Sequence, residues 1–524
     1  MAFTGAQAPL ALGDDGFNAN HSVSTLTPGE LLQALNITYE NGTIQREGGS
    51  SLYTTVPLGS IILGGRDWWP TPIVQRGIVV TSDGRILKDS GSGSYGVTLA
   101  SGLATPTTPV FVEGGKEAAA NNKKLFMFTG TNQCQVLSGD GVATAPIASP
   151  PADWAAQFPI GGCLHLSRLW AFGGANPHMV YYSDLASHEN MTGGTSGQLA
   201  VYPGQGERII SIISFKRRLL IFKYPRGIYV ADTTDPVITN WYVYDLSLEL
   251  GLAGPLTWAP VDDDIMFMDA IGALHMLSAV REFGDYGLRS VSDSAYMLTW
   301  IRDTINQSRL GAAQALFYPN KREAHFCLST IGSANNNIRM VVDFNRGDRI
   351  RFRYSDKDAI ESIWLTRDAN QIPRPTGGDV AGRVWSMDQA VKAVNGAGYP
   401  SVFQTPHLDL AEVDATLAGR RKNGKFLQLI AESKGNWTVQ ADVFWDGRYV
   451  HTILFNMGTT GQVLGSFMLD RDSLASASIA TVRRRLYGSG MRLSVVFSLA
   501  NPNQDFSIDR GIVYFTPGDE RDPR

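Results

Sequence analysis

Cysteine, histidine and clustered carboxylates are the side chains that most often carry chemistry, and this chain holds few of them in useful arrangements. Cys163 and His165 flank Leu164, so an alternating strand points both to one face, as two of the four ligands that a structural zinc ion takes. No third or fourth ligand lies within sequence reach, and the pair reads as core packing. Asp262, Asp263 and Asp264 offer carboxylates to a calcium ion, whose loops need several oxygens and a glycine at fixed offsets. Those offsets are missing, and Pro260 with the apolar run IMFM (265–268) marks a solvated turn. A nucleophile elbow Gly-x-Ser-x-Gly, a phosphate-cradling Gly-Lys-Ser/Thr loop, a His-Glu-x-x-His pair and a dinucleotide fingerprint after a strand are all missing. Basic triplets stand at Lys216-Arg217-Arg218, Arg420-Arg421-Lys422 and Arg483-Arg484-Arg485. They read as solvated turns or strand edges, where Lys and Arg discourage unwanted pairing; the functional alternative is a subunit interface or contact with passing phosphate. No residue is assigned as catalytic, cofactor-binding or metal-ligating, no cofactor is expected, and the chain reads as a non-enzyme.

The elements that would position any such group follow a repeat. Two short apolar runs around a Gly, Asn, Pro or Asp turn recur with turn centres near residues 84, 130, 176, 226, 272, 320 and 382. RGIVVTSDGRILKD (76–89) and RLLIFKYPRGIYVAD (218–232) are typical. β-Branched and aromatic residues suit a pleated surface, and the residues between them supply the turn dihedrals. A spacing of about 40–50 residues is what a four-stranded propeller blade needs. The expected fold is therefore all-β: a β-propeller of six or seven blades over 60–395, preceded by an arm and docking hairpin (1–59) and followed by a β-sandwich-like domain (396–524). The competing reading is an ordinary two-sheet β protein with evenly spaced turns.

Within the arm, Pro28 and Glu30 predict a short helix with Leu31, Leu32 and Leu35 on one face, and NITYENGTIQRE (36–47) predicts a hairpin around Asn41-Gly42. This unit is expected to dock on the ring and lend it a closing strand. Tyr296, Met297, Trp300, Ile301 and Ile305 give a helical period on a blade edge, and 340–355 gives an extra hairpin turning at Asn345 to Asp348. After about residue 400 the period is lost, and alternating strands turn at Lys434-Gly435, Asp446-Gly447 and Asn501-Pro502, as in a sandwich.

Net charge is −4 over 524 residues, and Asp14, Asp15, Glu30, Glu40 and Glu47 against Arg46 already place −4 in the first 60. So balanced a chain has no global field with which to grip phosphate; it would guide DNA rather than hold it. Three scattered cysteines argue against a disulfide framework and for maturation in a reducing cytosol. No signal peptide and no membrane span are expected. The Asn-x-Ser/Thr triplets at Asn36, Asn41, Asn190, Asn306 and Asn436 read as chance rather than glycosylation acceptors.

Propeller sialidases carry Ser-x-Asp-x-Gly-x-x-Trp boxes, and Ser82-Asp83-Gly84 has neither the spacing nor the Trp. A different resemblance runs over most of 16–390. GFNANHSVSTLTPGELLQALNITYENGTIQREGG (16–49), with its Gly-x-Asn phrase, Leu-x-Pro-Gly-Glu turn and Gly-x-Ile-x-Arg hairpin, resembles the start of phage tail proteins. The segments 168–193, 206–232 and 251–277 resemble blades of the same proteins. The family is the nozzle, or tail tubular protein B, of short-tailed bacteriophages (podoviruses). The resemblance implies a structural virion protein made in the host bacterial cytoplasm: a homohexameric ring that encloses the DNA exit channel, retains the packaged genome and passes it at ejection. Implied partners are head-to-tail adaptor and portal proteins, tail fibres or spikes, and viral double-stranded DNA in the lumen. The alternative expectation is a propeller that binds or hydrolyses carbohydrate, which needs a pocket of converging aromatics and carboxylates.

Overall fold

Short runs of β-branched and aromatic residues between turn-forming residues pair as antiparallel strands, because such side chains pack well on a pleated, half-buried surface. The computed structural model of the chain describes residues 5–518 apart from 11, 14, 20–25, 41, 92, 115–122, 205, 281–284, 292–296, 347–348, 412–414, 433, 436 and 459–478. Six four-stranded antiparallel sheets are arranged as propeller blades. Blades one to five are consecutive meanders whose innermost strands are Ile62–Thr71, Val110–Gly114, Pro159–His165, Arg208–Phe215 and Trp258–Val261. The closing blade joins Ile360–Arg367, Pro373–Asp379 and Val384–Gln389 to the N-terminal strand Gly49–Leu52, with Leu52 opposite Trp385 and Ser51 opposite Ser386.

A seventh sector stands between blade five and the closing blade. It is filled by Gln314–Tyr318, Glu323–Leu328, Ile338–Arg346 and Arg349–Ser355, the first four strands of a nine-stranded sheet. Separate apolar layers follow one another round the ring. Leu125 and Met127 pack on Ile78 and Val80 between blades one and two, and Phe222 meets Phe267 between blades four and five. Trp364 and Val384 meet Val79 where the ring closes. No blade buries both faces alone, so each supplies half of two such layers.

The nine-stranded sheet does not stop at the ring. From Arg349–Ser355 it continues through Gln33–Leu35, Ser401–Gln404, Leu493–Leu499, Thr438–Trp445 and Arg448–Asn456. The last five of these strands form one layer of the C-terminal sandwich. The other layer runs Ile479–Arg485, Lys422–Glu432, Ser507–Pro517, Thr43–Arg46, Ile37–Glu40, with Ala6–Leu10 also paired to Ser507–Pro517. Leu429, Val443, Val495, Phe497 and Val513 are buried between the layers. Of the three C-terminal turns, Asp446-Gly447 closes a hairpin between paired strands. At Lys434-Gly435 and Asn501-Pro502 the chain instead passes from a strand of one layer to a strand of the other.

The turns at 84, 130, 176, 226, 272 and 382 each join the second and third strands of a blade, whereas the turn at 320 joins the first and second strands of the seventh sector. The extra hairpin over 340–355 is that sector's third and fourth strands. The helix expected after Pro28 is not formed. The chain makes two short strands, Glu30–Leu31, parallel to Gly16–Phe17, and Gln33–Leu35. The Glu30 carboxylate accepts from the Thr27 N–H at 2.6 Å, the contact a helix capping box would make. The backbone stays extended because Gln33–Leu35 has a sheet neighbour on each side, so tertiary pairing overrides local propensity. In the second helical segment an α-helix spans Leu298–Thr304 with Ile301 buried; Tyr296, Asn41, Asp348 and Asn436 lie outside the described residues.

Candidate functional site

Alternation along Pro159–His165 keeps Cys163 and His165 on one face, turned towards blade four, with Leu164 on the opposite face towards blade two. Cys163 packs into the apolar layer between blades three and four, and burial pushes its thiol well above the usual range. The His165 ring bridges to blade four, with Nδ1 2.7 Å from Ser214 Oγ and Nε2 2.9 Å from Thr233 Oγ1. Burial lowers its pKa to about 4, so it sits neutral between two hydroxyls. Asp262 is at φ 51° in a turn and pairs with Arg322 at 2.6 Å, while Asp264 accepts from Ser278. Among the described residues no three His, Cys, Asp or Glu side chains gather as a metal site. Lys216 and Arg217, at φ 46° and 65°, are the two-residue turn between the first strands of blade four, and Ser82-Asp83-Gly84 is a turn in which Asp83 holds Arg85 at 2.7 Å.

The ring axis encloses a cavity of about 1230 Å³ to which all seven inner strands contribute. Its walls carry Trp69, Phe111, Phe215, Trp258, Phe317 and Trp364. Both carboxylates at its rim are already held. Glu113 is held by Arg66 at 2.8 Å and Lys123 at 2.6 Å. Burial alone would raise the Glu113 carboxyl, but those two cations keep it below its usual value. Asp67 accepts from Trp69, Gln75 and the Arg367 N–H. The cavity can therefore stack on a planar or apolar ligand. A B-form duplex, roughly 20 Å across, does not fit.

Among the described residues a dense polar cluster fills the junction where arm, ring and sandwich meet; Asn36, Arg46 and Glu47 belong to the hairpin expected over 36–47 and Arg353 to the one over 340–355, but nothing in local spacing signals that they meet. Asn36, fully buried with φ 52°, donates its amide to Asp356 Oδ1 and Pro400 O, both at 2.7 Å, and accepts from Ser355 Oγ at 2.9 Å and the Asp356 N–H at 3.0 Å. Such burial leaves no room for a glycan. Arg46 sends its guanidinium to the carbonyls of Asn501 (2.6 Å), Gln504 (2.7 Å) and Tyr399 and to Ser401 Oγ, with the Tyr399 ring 4.0 Å beneath it. Glu47 Oε1 faces Arg339 at 3.1 Å, Lys357 at 3.1 Å and Arg353 at 3.5 Å. Burial would raise the Glu47 carboxyl, yet Lys357, Arg339 and Arg353 hold it well below the carboxylate range. Arg353 also pairs with Glu323 at 2.8 Å, and Asp358 with Lys357 at 3.0 Å. His325, kept neutral by burial, accepts from Arg339 at Nδ1, which leaves Nε2–H to donate to Glu323. Three arginine or lysine charges thus meet three carboxylates with little water, and the arm's Glu47 is one of the three.

No known family model matches the chain, and no curated protein does. Among solved structures it is similar to U3-55K (TM-score 0.41, 9% identity, 65% of this chain and 98% of that one). It is also similar to BBS1N in complex with ARL6DN (0.40, 9%, 66% and 97%). A third is the computationally designed Ika8 protein (0.37, 11%, 65% and 100%).

Proposed function

We propose that this chain is the nozzle subunit of a short-tailed phage, a ring-forming structural protein of the virion tail that encloses the DNA exit channel. The observation that carries the reading is the place of segment 16–49. The stretch whose phrases resemble the family supplies Gln33–Leu35 to the sheet common to ring and sandwich, Ile37–Glu40 and Thr43–Arg46 to the opposite layer, and Asn36, Arg46 and Glu47 to the junction. A conduit under pressure needs bodies that do not hinge, and strand sharing with buried ion pairs resists hinging better than a linker does. In this reading the duplex runs through the lumen between subunits, not through the propeller axis. Near-neutral walls suit that task, since each phosphate contact would add friction. The ring is a homohexamer that meets adaptor and portal proteins on one side and fibres or spikes on the other. Sedimentation and electron microscopy of the purified chain test it: a closed ring with a bore of about 20 Å or more is expected, and a chain that stays monomeric at high concentration and in particles overturns it.

The aromatic axial cavity favours a second reading, a carbohydrate-binding propeller, because aromatic walls can pack against a sugar ring. Binding on a glycan array that Trp258→Ala abolishes would support it, and an array without signal would remove it.

A further inference from the structure

Two sheet edges of the molecule expose apolar side chains beside charge mostly of one sign, basic on the first apart from Asp446 and acidic on the second apart from Arg218. The first lies on the sandwich, where the outermost strands of its two layers, Arg448–Asn456 and Ile479–Arg485, run side by side. Arg484 Nε reaches Leu454 O at 3.3 Å, and the His451 and Tyr487 rings lie 5.2 Å apart. Six of the 22 exposed large apolar side chains of the described residues fall on this wall: Tyr449, Val450, Leu454, Ile479, Tyr487 and Met491. Arg448, Arg484 and Arg485 are exposed among them. Arg483 is fixed against the Phe426 and Tyr514 rings, 4.2 and 4.0 Å away.

The second edge is the outer strand of blade four, Tyr242–Ser247. It exposes Tyr242 and, just beyond the strand, Leu248, with Tyr202 lying across it through a hydrogen bond to Val243 O. Asp245 and Glu249 are exposed beside these residues.

Arginines that merely guard an edge would stand among polar neighbours, whereas these stand among tyrosine, leucine and isoleucine, the make-up of a protein interface. Phosphate contact gains nothing from exposed Leu454 and Ile479. Pairing of the wall with its own copy about a two-fold axis is disfavoured, because it would gather Arg448, Arg484 and Arg485 of both copies against a single Asp446 from each. We propose that the basic sandwich wall of one copy docks on the acidic outer edge of blade four in the next copy, a head-to-tail contact. Such heterologous contacts give a closed ring when their rotation closes. The inference rests on the ring reading above and names the surfaces that build it.

The test uses two full-length variants, Arg448→Glu/Arg484→Glu/Arg485→Glu on the wall and Asp245→Lys/Glu249→Lys on the blade, with Arg483 kept in its stack. Circular dichroism and melting first check that each is folded. Sedimentation velocity then follows assembly. Each variant alone should need about 100-fold more protein to assemble, since like charges now oppose. An equimolar mixture should assemble as the unaltered chain does, because each variant keeps one original surface and the two altered surfaces complement each other. Rings from either variant alone, equal to those of the unaltered chain, overturn the docking surfaces and leave the ring reading standing. A monomeric unaltered chain overturns both. Loss of duplex DNA binding by the wall variant with assembly unchanged would assign the wall to nucleic acid instead.

Discussion

Replacing Glu47 with glutamine removes the carboxylate through which the arm holds the ring. At about 3.1 Å and an effective dielectric near 20, each of its attractions to Arg339 and Lys357 amounts to roughly 5 kcal/mol before desolvation. Burial of all partners cancels most of that sum, and loss of one member of such a group costs about 3–5 kcal/mol, mainly because an uncompensated charge is left inside. Glu47→Gln leaves three buried cations against Glu323 and Asp358. Lys357→Met leaves the opposite imbalance, so the double variant restores neutrality. It should be less destabilised than the sum of the two single variants by about 2 kcal/mol or more. Denaturant unfolding measures the total, and hydrogen exchange over Gly49–Leu52 and Val384–Gln389 reports whether the closing blade loosens with the junction. Additive effects of Glu47→Gln and Lys357→Met, or exchange unchanged in both strands, would refute the reasoning that the arm is held by charge.

Three further outcomes follow from other contacts. Gly49→Ala places a Cβ 2.2 Å from the carbonyl oxygens of both Val391 and Ala393; a loss of about 1–3 kcal/mol should appear as faster exchange in Val384–Gln389. Arg46→Lys keeps the charge but cannot span four acceptors, so a melting temperature equal to that of the unaltered chain would contradict the clamp geometry. For pH, unfolded His165 takes up a proton near 6.5 and folded His165 only near 4, so its contribution is present at pH 7 and lost as pH falls. Between pH 7 and 5 the loss is about 2 kcal/mol, and His165→Gln should lack that share of the pH dependence. Glu47 and Glu323 are depressed in the folded chain, so their contribution holds above about pH 4.5 and fades below it.

The propeller was legible because its second-to-third-strand turns use Gly, Asn, Asp or Pro at even spacing. Blade number was not, since the turn near 320 belongs to a different pair of strands and the stretch around Leu298–Thr304 lengthens that sector. First-to-second-strand turns at Leu166-Ser167 and Lys216-Arg217 take positive φ without Gly or Asn, so the second read as a basic cluster. Pro28 and Glu30 gave a helix-start signal, and the fold uses Glu30, through the Thr27 N–H, to brace an extended chain. The junction stayed hidden for a simpler reason. Asn36 meets Asp356 and Pro400, and Glu47 meets Arg339, across some 290–360 residues of sequence, and no local pattern encodes such a meeting. The axial aromatics likewise come one from each of several blades.

The closing blade has a consequence for biosynthesis. Gly49–Leu52 leaves the ribosome early, yet its partner Val384–Gln389 follows only after more than 300 further residues. At about 5–20 residues per second the strand waits roughly 15–70 s with its hydrogen-bonding edge unsatisfied. Blades one to five can mature on the nascent chain during that interval, while the ring and the sandwich must await late synthesis. A ribosome stalled before residue 384 would therefore leave an open arc with two raw edges, a natural substrate for holdase chaperones and proteases.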